Sequence, residues 1–102
     1  MKHIDRVIHE PARLRILMVL SGMQWADFPS LCRMLGLTRG NLSAHTSQLE
    51  RSGYIRVSKS IVGRVPHTEY RLTAKGRKAL GEYWAAMDEI RKLGKTGLPD
   101  DV

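Results

Sequence analysis

The chain of 102 residues is long enough for one compact domain with a modest core, and 42% of its residues are hydrophobic. It has no apolar run near the ~20 residues that a membrane-spanning helix needs, and its N-terminus lacks a secretory signal, so we expect a cytoplasmic protein without a membrane span. Seventeen Lys and Arg against ten Asp and Glu give a net charge of +7, which suits a polyanionic partner such as nucleic acid or a membrane surface.

The first predicted helix begins near Pro11, a residue that is tolerated in the first turn of a helix, and ends near Gly22. It is apolar on all sides between Leu14 and Leu20, which predicts burial on more than one face. Upstream of it, apolar residues at helical spacing predict a single helical turn or a short cap. These residues are Ile4, Val7 and Ile8.

Two further helices follow, joined by a short turn. The second begins after Asp27, a good N-cap, and ends at Gly36. The third begins at a second N-cap, Thr38, and covers about residues 38–52. The turn at Gly36 and Leu37 is the tight connection that a helix-turn-helix needs, because it makes the two helices cross steeply.

The hydrophobic pattern then changes to a period of two. Residues 54–59 and 68–72 alternate apolar with polar side chains, which predicts two antiparallel strands. Between them, residues 60–67 contain Gly63 and Pro66, which break strand pairing. We therefore expect a hairpin with a long, basic loop at its tip.

A long last helix is predicted from its N-cap, Thr73, to about Leu93, followed by a flexible tail over residues 94–102. The predicted fold class is mainly α with a small β-hairpin. The arrangement is a winged helix-turn-helix, with a three-helix core, a two-stranded wing and a long C-terminal helix. Residues 1–93 are expected to form this single domain, with about residues 73–93 as its dimerisation helix.

The third helix is the predicted DNA-reading element. With Leu42, Thr46 and Leu49 turned inward, its outer face has no large apolar residue, and its nearest carboxylate, Glu50, falls in the last turn. Such a face can bond base edges and phosphates without charge repulsion, although a merely solvated polar face is the alternative. His45 stays open, because it can pack half-buried beside the turn or reach DNA. The DNA contacts predicted on this helix are Thr38, Arg39, Asn41, Ser43, Ala44, His45, Ser47 and Gln48.

The predicted wing supplies a second DNA-contacting surface. Lys59, Arg64 and His67 lie within nine residues of one another. The wing of a winged helix reaches the adjacent minor groove or the backbone, and Arg is favoured where that groove is narrow. A solvated basic loop is the alternative.

The last helix carries more apolar surface than one small core would obviously absorb. Because two-fold DNA sites pair with dimeric readers, this stripe and the upstream apolar residues predict a homodimer interface. The alternative is that the stripe packs onto the first helix of the same chain. The predicted interface residues are Ile4, Val7, Ile8, Leu80, Tyr83, Trp84, Met87 and Ile90.

The sequence predicts no catalytic site, metal site or cofactor. A Ser/His/Asp or Cys/His arrangement, paired carboxylates and a phosphate-binding Gly loop are all missing, so we do not expect an enzyme. The four histidines show no metal-ligand spacing. The single cysteine, Cys32, excludes an intrachain disulfide and is expected to be a small buried hydrophobic residue rather than a redox sensor.

Four segments of the chain resemble the small winged-helix transcriptional regulators related to the MarR and ArsR groups. In order, and at the expected spacing, they are residues 8–17, 36–45, 49–55 and 68–77, so the resemblance spans about residues 4–90. It implies a dimeric transcriptional regulator, usually a repressor, with the third helix and the wing touching double-stranded DNA. It carries DNA contact onto Arg39, Asn41, Ser43, Ala44, His45, Ser47, Gln48 and Arg64.

The sequence departs from these groups in two places. Cys32 alone does not supply the cysteine-containing metal motif of ArsR-like sensors, and Thr46 stands where such helices often have a larger aliphatic residue. Since little of the chain lies outside the winged helix, the effector pocket of the longer MarR-like proteins is not expected, and a small-molecule effector is left open. The alternative function is a winged-helix protein–protein interaction module of a transcription or chromosome-associated complex, with a foreign partner on the face around Tyr83 and Trp84.

Overall fold

The computed structural model describes residues 2–96 and has four helices and a small sheet within that range. The helices are α1 (Pro11–Ser21), α2 (Phe28–Leu35), α3 (Arg39–Arg51) and α4 (Ala74–Thr96). The strands are β1 (Ala26–Asp27), β2 (Ile55–Val62) and β3 (Val65–Leu72). The predicted class, mainly α with a β-hairpin wing after a helix-turn-helix, is confirmed.

The N-caps predicted from the sequence begin α2 and α3. The Asp27 carboxylate accepts a hydrogen bond from the Ser30 backbone N–H at 2.8 Å, and the Thr38 hydroxyl accepts one from the Asn41 N–H at 3.1 Å. Gly36 ends α2 with a φ of 64°, a left-handed conformation that costs glycine little. These local signals leave a three-residue turn between α2 and α3, as a helix-turn-helix requires.

A short third strand, which the sequence did not predict, widens the sheet. Antiparallel pairing of β1 with β3 joins Ala26 to Tyr70 and Asp27 to Glu69, and the strand order is β1-β3-β2. The sequence analysis identified Asp27 only as the N-cap of the second helix. A two-residue strand is too short to show the alternation by which strands are recognised.

The long loop predicted over residues 60–67 is wrong, because most of it is strand. The pairing of β2 with β3 continues to Val62 opposite Val65, so that only Gly63 and Arg64 form the turn. Both turn residues have positive φ, 55° and 70°. Two-residue hairpin turns use this geometry because it matches the twist of the flanking strands.

Two features explain why the sequence did not predict the outer half of this hairpin as strand. Pro66 cannot donate to a ladder, but β1 pairs with β3 only at residues 69–70, so β3 has a free edge beside Pro66. In addition, Ile61, Val62 and Val65 are 70%, 60% and 62% exposed. These strands therefore have no buried face at the tip, and the alternation of a half-buried strand is lost.

The last helix runs three residues beyond its predicted end, to Thr96, and the remainder of the predicted tail, residues 97–102, lies outside the described residues. The Thr73 hydroxyl accepts a hydrogen bond from the Gly76 N–H at 2.9 Å, which caps the helix. Gly76 also touches the wing, since a Cβ there would lie 2.1 Å from the Tyr54 carbonyl oxygen. This contact holds the start of α4 against the base of the wing.

The core lies where the first three helices and part of α4 meet the inner face of the sheet. Thr46 is buried in it, turned inward as predicted, and its hydroxyl donates to the Ser43 carbonyl at 3.2 Å. Within residues 2–96, no helix has the length and apolar character needed to cross a membrane. The largest fully buried side chains are Ile8, Ile16, Leu17, Leu20, Leu31, Leu42 and Leu49.

Candidate nucleic-acid interface

The outer face of α3 is narrow and polar. Leu42, Thr46 and Leu49 hold the helix to the core, and most of the positions between them face solvent. The first carboxylate along the helix is that of Glu50, which is exposed near its end. Gln48, by contrast, is partly buried. The exposed residues of this face are Thr38, Arg39, Gly40, Asn41, Ser43, Ala44 and Ser47.

Arg39 stands at the start of this face and is positioned by an aromatic ring. Its guanidinium carbon lies 4.9 Å from the centroid of the Phe28 ring, and Phe28 in turn packs against Tyr70, with the ring centroids 6.4 Å apart. Among the described residues, the guanidinium makes no hydrogen bond or ion pair. Stacking therefore orients Arg39 while leaving its five donors free for phosphates or base edges.

A groove of about 360 Å³ separates α3 from the wing. Arg39 and Ser43 line it on the α3 side, and Lys59 and Thr68 line it on the wing side. Hydrogen-bond donors of these kinds are the usual partners of phosphate oxygens. The groove can therefore hold a nucleic-acid backbone that passes between the helix and the wing.

Of the described residues that line the groove, only Asp27 has a carboxylate, and this carboxylate already has hydrogen-bond partners within the chain. Asp27 accepts hydrogen bonds from the backbone N–H and from the hydroxyl of Ser30. These bonds, chiefly the first, hold the pKa of the Asp27 carboxyl below the ordinary value. The negative charge of Asp27 therefore stabilises the N-terminus of α2, where the helix dipole favours an anion. The Asp27 carboxylate therefore has a structural role at the edge of the groove.

Two of the three predicted wing residues are free and one is not. Lys59 and Arg64 are exposed, and neither makes a polar contact among residues 2–96. His67 is partly buried, with its Nε2 2.9 Å from a carboxylate oxygen of Glu69 and its ring edge-on to Trp25. A DNA contact by His67 would therefore compete with its existing hydrogen bond to Glu69.

His45 takes the half-buried position, which is one of the two alternatives that the sequence left open. Its Nδ1 lies 3.3 Å from a carboxylate oxygen of Glu10 and 3.3 Å from a guanidinium nitrogen of Arg13. Nδ1 can donate to Glu10 or accept from Arg13, but a given tautomer does only one. These partners lie on and before α1, so the contact ties α3 to α1.

The predicted interface residues fall into different environments. Most of them pack against other parts of the same chain. Buried in the chain's own core are Ile8, Leu80 and Tyr83. Partly buried and packed against that core are Ile4, Val7 and Met87.

The free apolar surface of α4 is centred on Trp84, which is 44% exposed. Its indole N–H donates to the sulfur of Met18 at 3.3 Å, and Met18 is itself 43% exposed. Leu93 is 51% exposed further along α4, and Ile90 is partly buried. The sequence did not assign Met18 and Leu93 to an interface, because α1 reads as apolar on all sides and Leu93 was expected at the end of the helix.

The described residues hold no group of three or more His, Cys, Asp and Glu side chains that could bind a metal ion. Cys32 is a free thiol, partly buried and packed against the core, rather than fully buried as expected. The candidate functional residues in the described part of the chain are therefore the polar and cationic side chains and the exposed apolar ones.

A helix-turn-helix with a paired wing is the arrangement of known DNA-binding proteins. Residues 12–91 match a family model described as a winged helix DNA-binding domain. The chain belongs to this family. An uncharacterized protein of Methanocaldococcus jannaschii is 36% identical to it over 91 residues, which cover 88% of this chain and 95% of that protein.

Solved structures agree with this winged-helix assignment. A transcriptional regulator homologue from Pyrococcus horikoshii OT3 superposes with a TM-score of 0.80 at 28% identity, over 86% of this chain and 87% of that one. A MarR-family transcriptional regulator from Silicibacter pomeroyi has a TM-score of 0.65 at 19% identity, over 93% and 63% of the two chains, and shows a shared fold. The predicted resemblance to winged-helix regulators is confirmed, and the fold is shared with a MarR-family regulator.

Proposed function

We propose that this winged-helix protein is a dimeric transcriptional regulator that binds specific sites on double-stranded DNA and acts as a repressor. In this proposal α3 enters the major groove, and the wing tip lies on the adjacent minor groove or backbone. The observation that carries the proposal is the exposed polar face of α3, which has Arg39 at its start and no carboxylate before Glu50. A repressor of this kind acts by occupying its site.

Direct reading of bases would come from side chains spaced along the α3 face. Arg pairs with guanine, and Asn and Gln pair with adenine, through two hydrogen bonds each. Arg39, Asn41 and Gln48 supply these groups at intervals along the helix. Ala44 adds a small apolar group that suits a thymine methyl, and Gly40 keeps the helix slim enough for close approach.

Backbone contacts would come from the groove and from the wing. Lys59, Ser43 and Thr68 line the groove between the two elements and suit phosphate oxygens. Arg64, at the turn of the hairpin, would enter the minor groove, whose negative potential attracts Arg where the groove is narrow. Contacts of this second kind set the position of the protein on DNA rather than its sequence preference.

Dimerisation would use the exposed apolar surface around Trp84. A second copy would cover Trp84, Met18 and Leu93, which otherwise remain in water. A two-fold dimer would place two α3 helices on half-sites about 34–36 Å apart, which is one turn of DNA. The preferred site would then be an inverted repeat.

Selection from a pool of random duplexes tests the proposal. We expect one enriched motif with two-fold symmetry, and binding that weakens steeply as salt rises. A pool with no enriched motif, despite binding, would overturn specific regulation. Binding that is negligible at moderate salt would favour a protein–protein interaction module instead.

Single substitutions then separate base reading from backbone contact. Arg39→Ala and Gln48→Ala should each relax the preference at one base pair, a change of about 1–3 kcal/mol. Lys59→Ala should weaken binding to every duplex alike and lower the salt dependence by about one phosphate contact. Arg91→Ala, an exposed cation near the end of α4, is the matched control and should leave specificity unchanged.

A further inference from the structure

A second cationic surface lies on the sheet face that points away from α3. Ile55 and Tyr70 are buried on the inner face, so their neighbours Arg56 and Arg71 point to the opposite, solvent-facing side. Arg56 and Arg71 are register partners, directly across β2 and β3 from each other. Two arginines thus stand side by side on the outer face.

The start of α4 extends this surface. Arg71 and Arg77 line one depression together with the turn that follows α1, and Arg56 and Arg71 line a second one together with Ala74. Lys78 lies one helical turn after Ala74 and so shares its side of α4. We call these four exposed cations the arginine patch: Arg56, Arg71, Arg77 and Lys78.

The arginine patch is uncompensated within the described part of the chain. None of its four side chains makes a hydrogen bond or an ion pair there, and like charges directly opposite on a sheet are destabilising. Among nearby acids, Glu69 binds His67, and Glu82 faces a depression beside Lys2 and Asp5. An anion supplied from outside the chain would remove this repulsion.

We infer that the arginine patch binds the phosphate backbone of a second DNA duplex, so that the protein bridges two duplex segments. This inference rests on the proposed function, in which α3 holds the first segment. Arg71 is six residues along β3 from Val65, the residue after the turn, which is about 20 Å at ~3.3 Å per residue, and it faces away from α3. A straight duplex seated on α3 and the wing tip would not reach it.

The chemistry of the patch favours a polyanion over a single small anion. Its cations are spread over two strands and the first turns of α4, so successive charges of a polymer can meet them in series. Arginine binds phosphate oxygens in pairs through its planar fork. Of the described residues that line the depression beside Arg77, only Met23 and Leu72 have large apolar side chains, so it offers a protein partner little apolar surface for an anchor.

A duplex-capture experiment tests the bridge. The full chain is bound to an immobilised duplex that carries its selected site, and capture of a second, fluorescent duplex of unrelated sequence is then measured. We expect the variant Arg56→Thr/Arg71→Thr/Arg77→Gln to capture at least about tenfold less of the second duplex, while its affinity for the first changes by less than about threefold. Its capture should also depend less on salt, with a slope smaller by about 2.7 for three lost phosphate contacts.

A charge-matched variant separates the patch from the overall charge. Arg15→Gln/Arg91→Gln/Lys95→Gln removes three exposed cations elsewhere on α1 and α4 and should capture the second duplex as the wild type does. Equal loss of capture in the two triple variants would overturn the inference. Full capture by the patch variant, or no capture by the wild type bound to its first duplex, would overturn it as well.

Failure of the inference can be told apart from failure of the proposed function. In Arg39→Ala/Gln48→Ala, the preference at two base pairs is removed, and the remaining binding to any duplex should weaken further when the patch substitutions are added, leaving only the contacts of the wing and the groove. If selection finds no specific site but this patch-dependent binding remains, then the proposed function fails, whereas DNA binding by the arginine patch is supported. If specific binding is intact and the patch substitutions change nothing, then only the inference fails.

Discussion

Gly76 is the residue at which a single added carbon should disturb the fold most directly. A Cβ there would lie 2.1 Å from the Tyr54 carbonyl oxygen and 2.9 Å from a methyl carbon of Leu72. Because backbone has to move, we expect Gly76→Ala to lower the free energy of unfolding by about 1–3 kcal/mol in denaturant titrations. Gly81→Ala is the control: it meets open space on the same helix and should raise stability by about 0.5–1 kcal/mol. A shift of the same sign in both would contradict the role of close approach at Gly76.

Asp27 should give the fold a specific acid sensitivity. Its folded-state pKa is depressed, chiefly by the hydrogen bond from the Ser30 N–H, so its contribution to stability is present above the ordinary carboxyl pKa and is lost as pH falls through the lower folded value. Asp27→Asn keeps a good cap without a titrating group, so the stability advantage of the wild type should shrink only below about pH 4.

Denaturant midpoints measured from pH 7 to pH 3 check this prediction. Asp27→Ala, which removes the cap altogether, should lose about 1 kcal/mol at neutral pH. Parallel pH curves for the wild type and Asp27→Asn would show that the Asp27 charge does not contribute.

Among the elements, the wing has a turn at which the backbone strain of one residue can be separated by mutation from its proposed DNA contact. Arg64 adopts a φ of 70°, a left-handed conformation that costs a non-glycine residue about 1–2 kcal/mol. Such strain persists where the surroundings or a function retain it. Because Arg64 sits at the proposed minor-groove contact, its substitution should change stability and DNA binding in opposite directions.

We expect Arg64→Gly to raise the free energy of unfolding by about 1 kcal/mol and to weaken binding to duplexes. Thermal or denaturant unfolding gives the first quantity, and titration of labelled duplex gives the second. Arg64→Lys keeps both the charge and the strain, so its stability should match the wild type. A stabilised Arg64→Gly protein with unaltered binding would leave the arginine without a role at the DNA.

At the scale of the whole molecule, the proposed dimer depends on the exposed side of α4. Trp84→Glu places a charge at the centre of the proposed interface, where it would be buried in a dimer without a partner. We therefore expect sedimentation to show a monomer, and circular dichroism to show the same helical content as the wild type. Ala85→Glu, the next exposed residue and one that points in another direction, should remain dimeric. A wild-type monomer, or an unaffected mass in Trp84→Glu, would remove the basis for two-fold DNA sites.

The sequence by itself predicted the features that depend on neighbouring residues. The caps at Asp27 and Thr38 and the left-handed glycine at Gly36 act within three or four residues, so the boundaries of α2 and α3 could be read directly. The same boundaries, with the inward Leu42 and Leu49, were enough to predict which side of α3 is exposed.

Only the tertiary structure decided the features that depend on residues far apart in the chain. His45 could be placed only once Glu10 and Arg13 were known to lie beside it, and the length of the wing depended on where β1 leaves β3 unpaired. The apolar stripe of α4 divides between the core and the surface because α1 covers only part of it, and the arginine patch exists because strand register sets Arg56 opposite Arg71. The spacing of residues along the chain predicts which side chains share one face of a helix or strand. What packs against that face is decided by the tertiary structure.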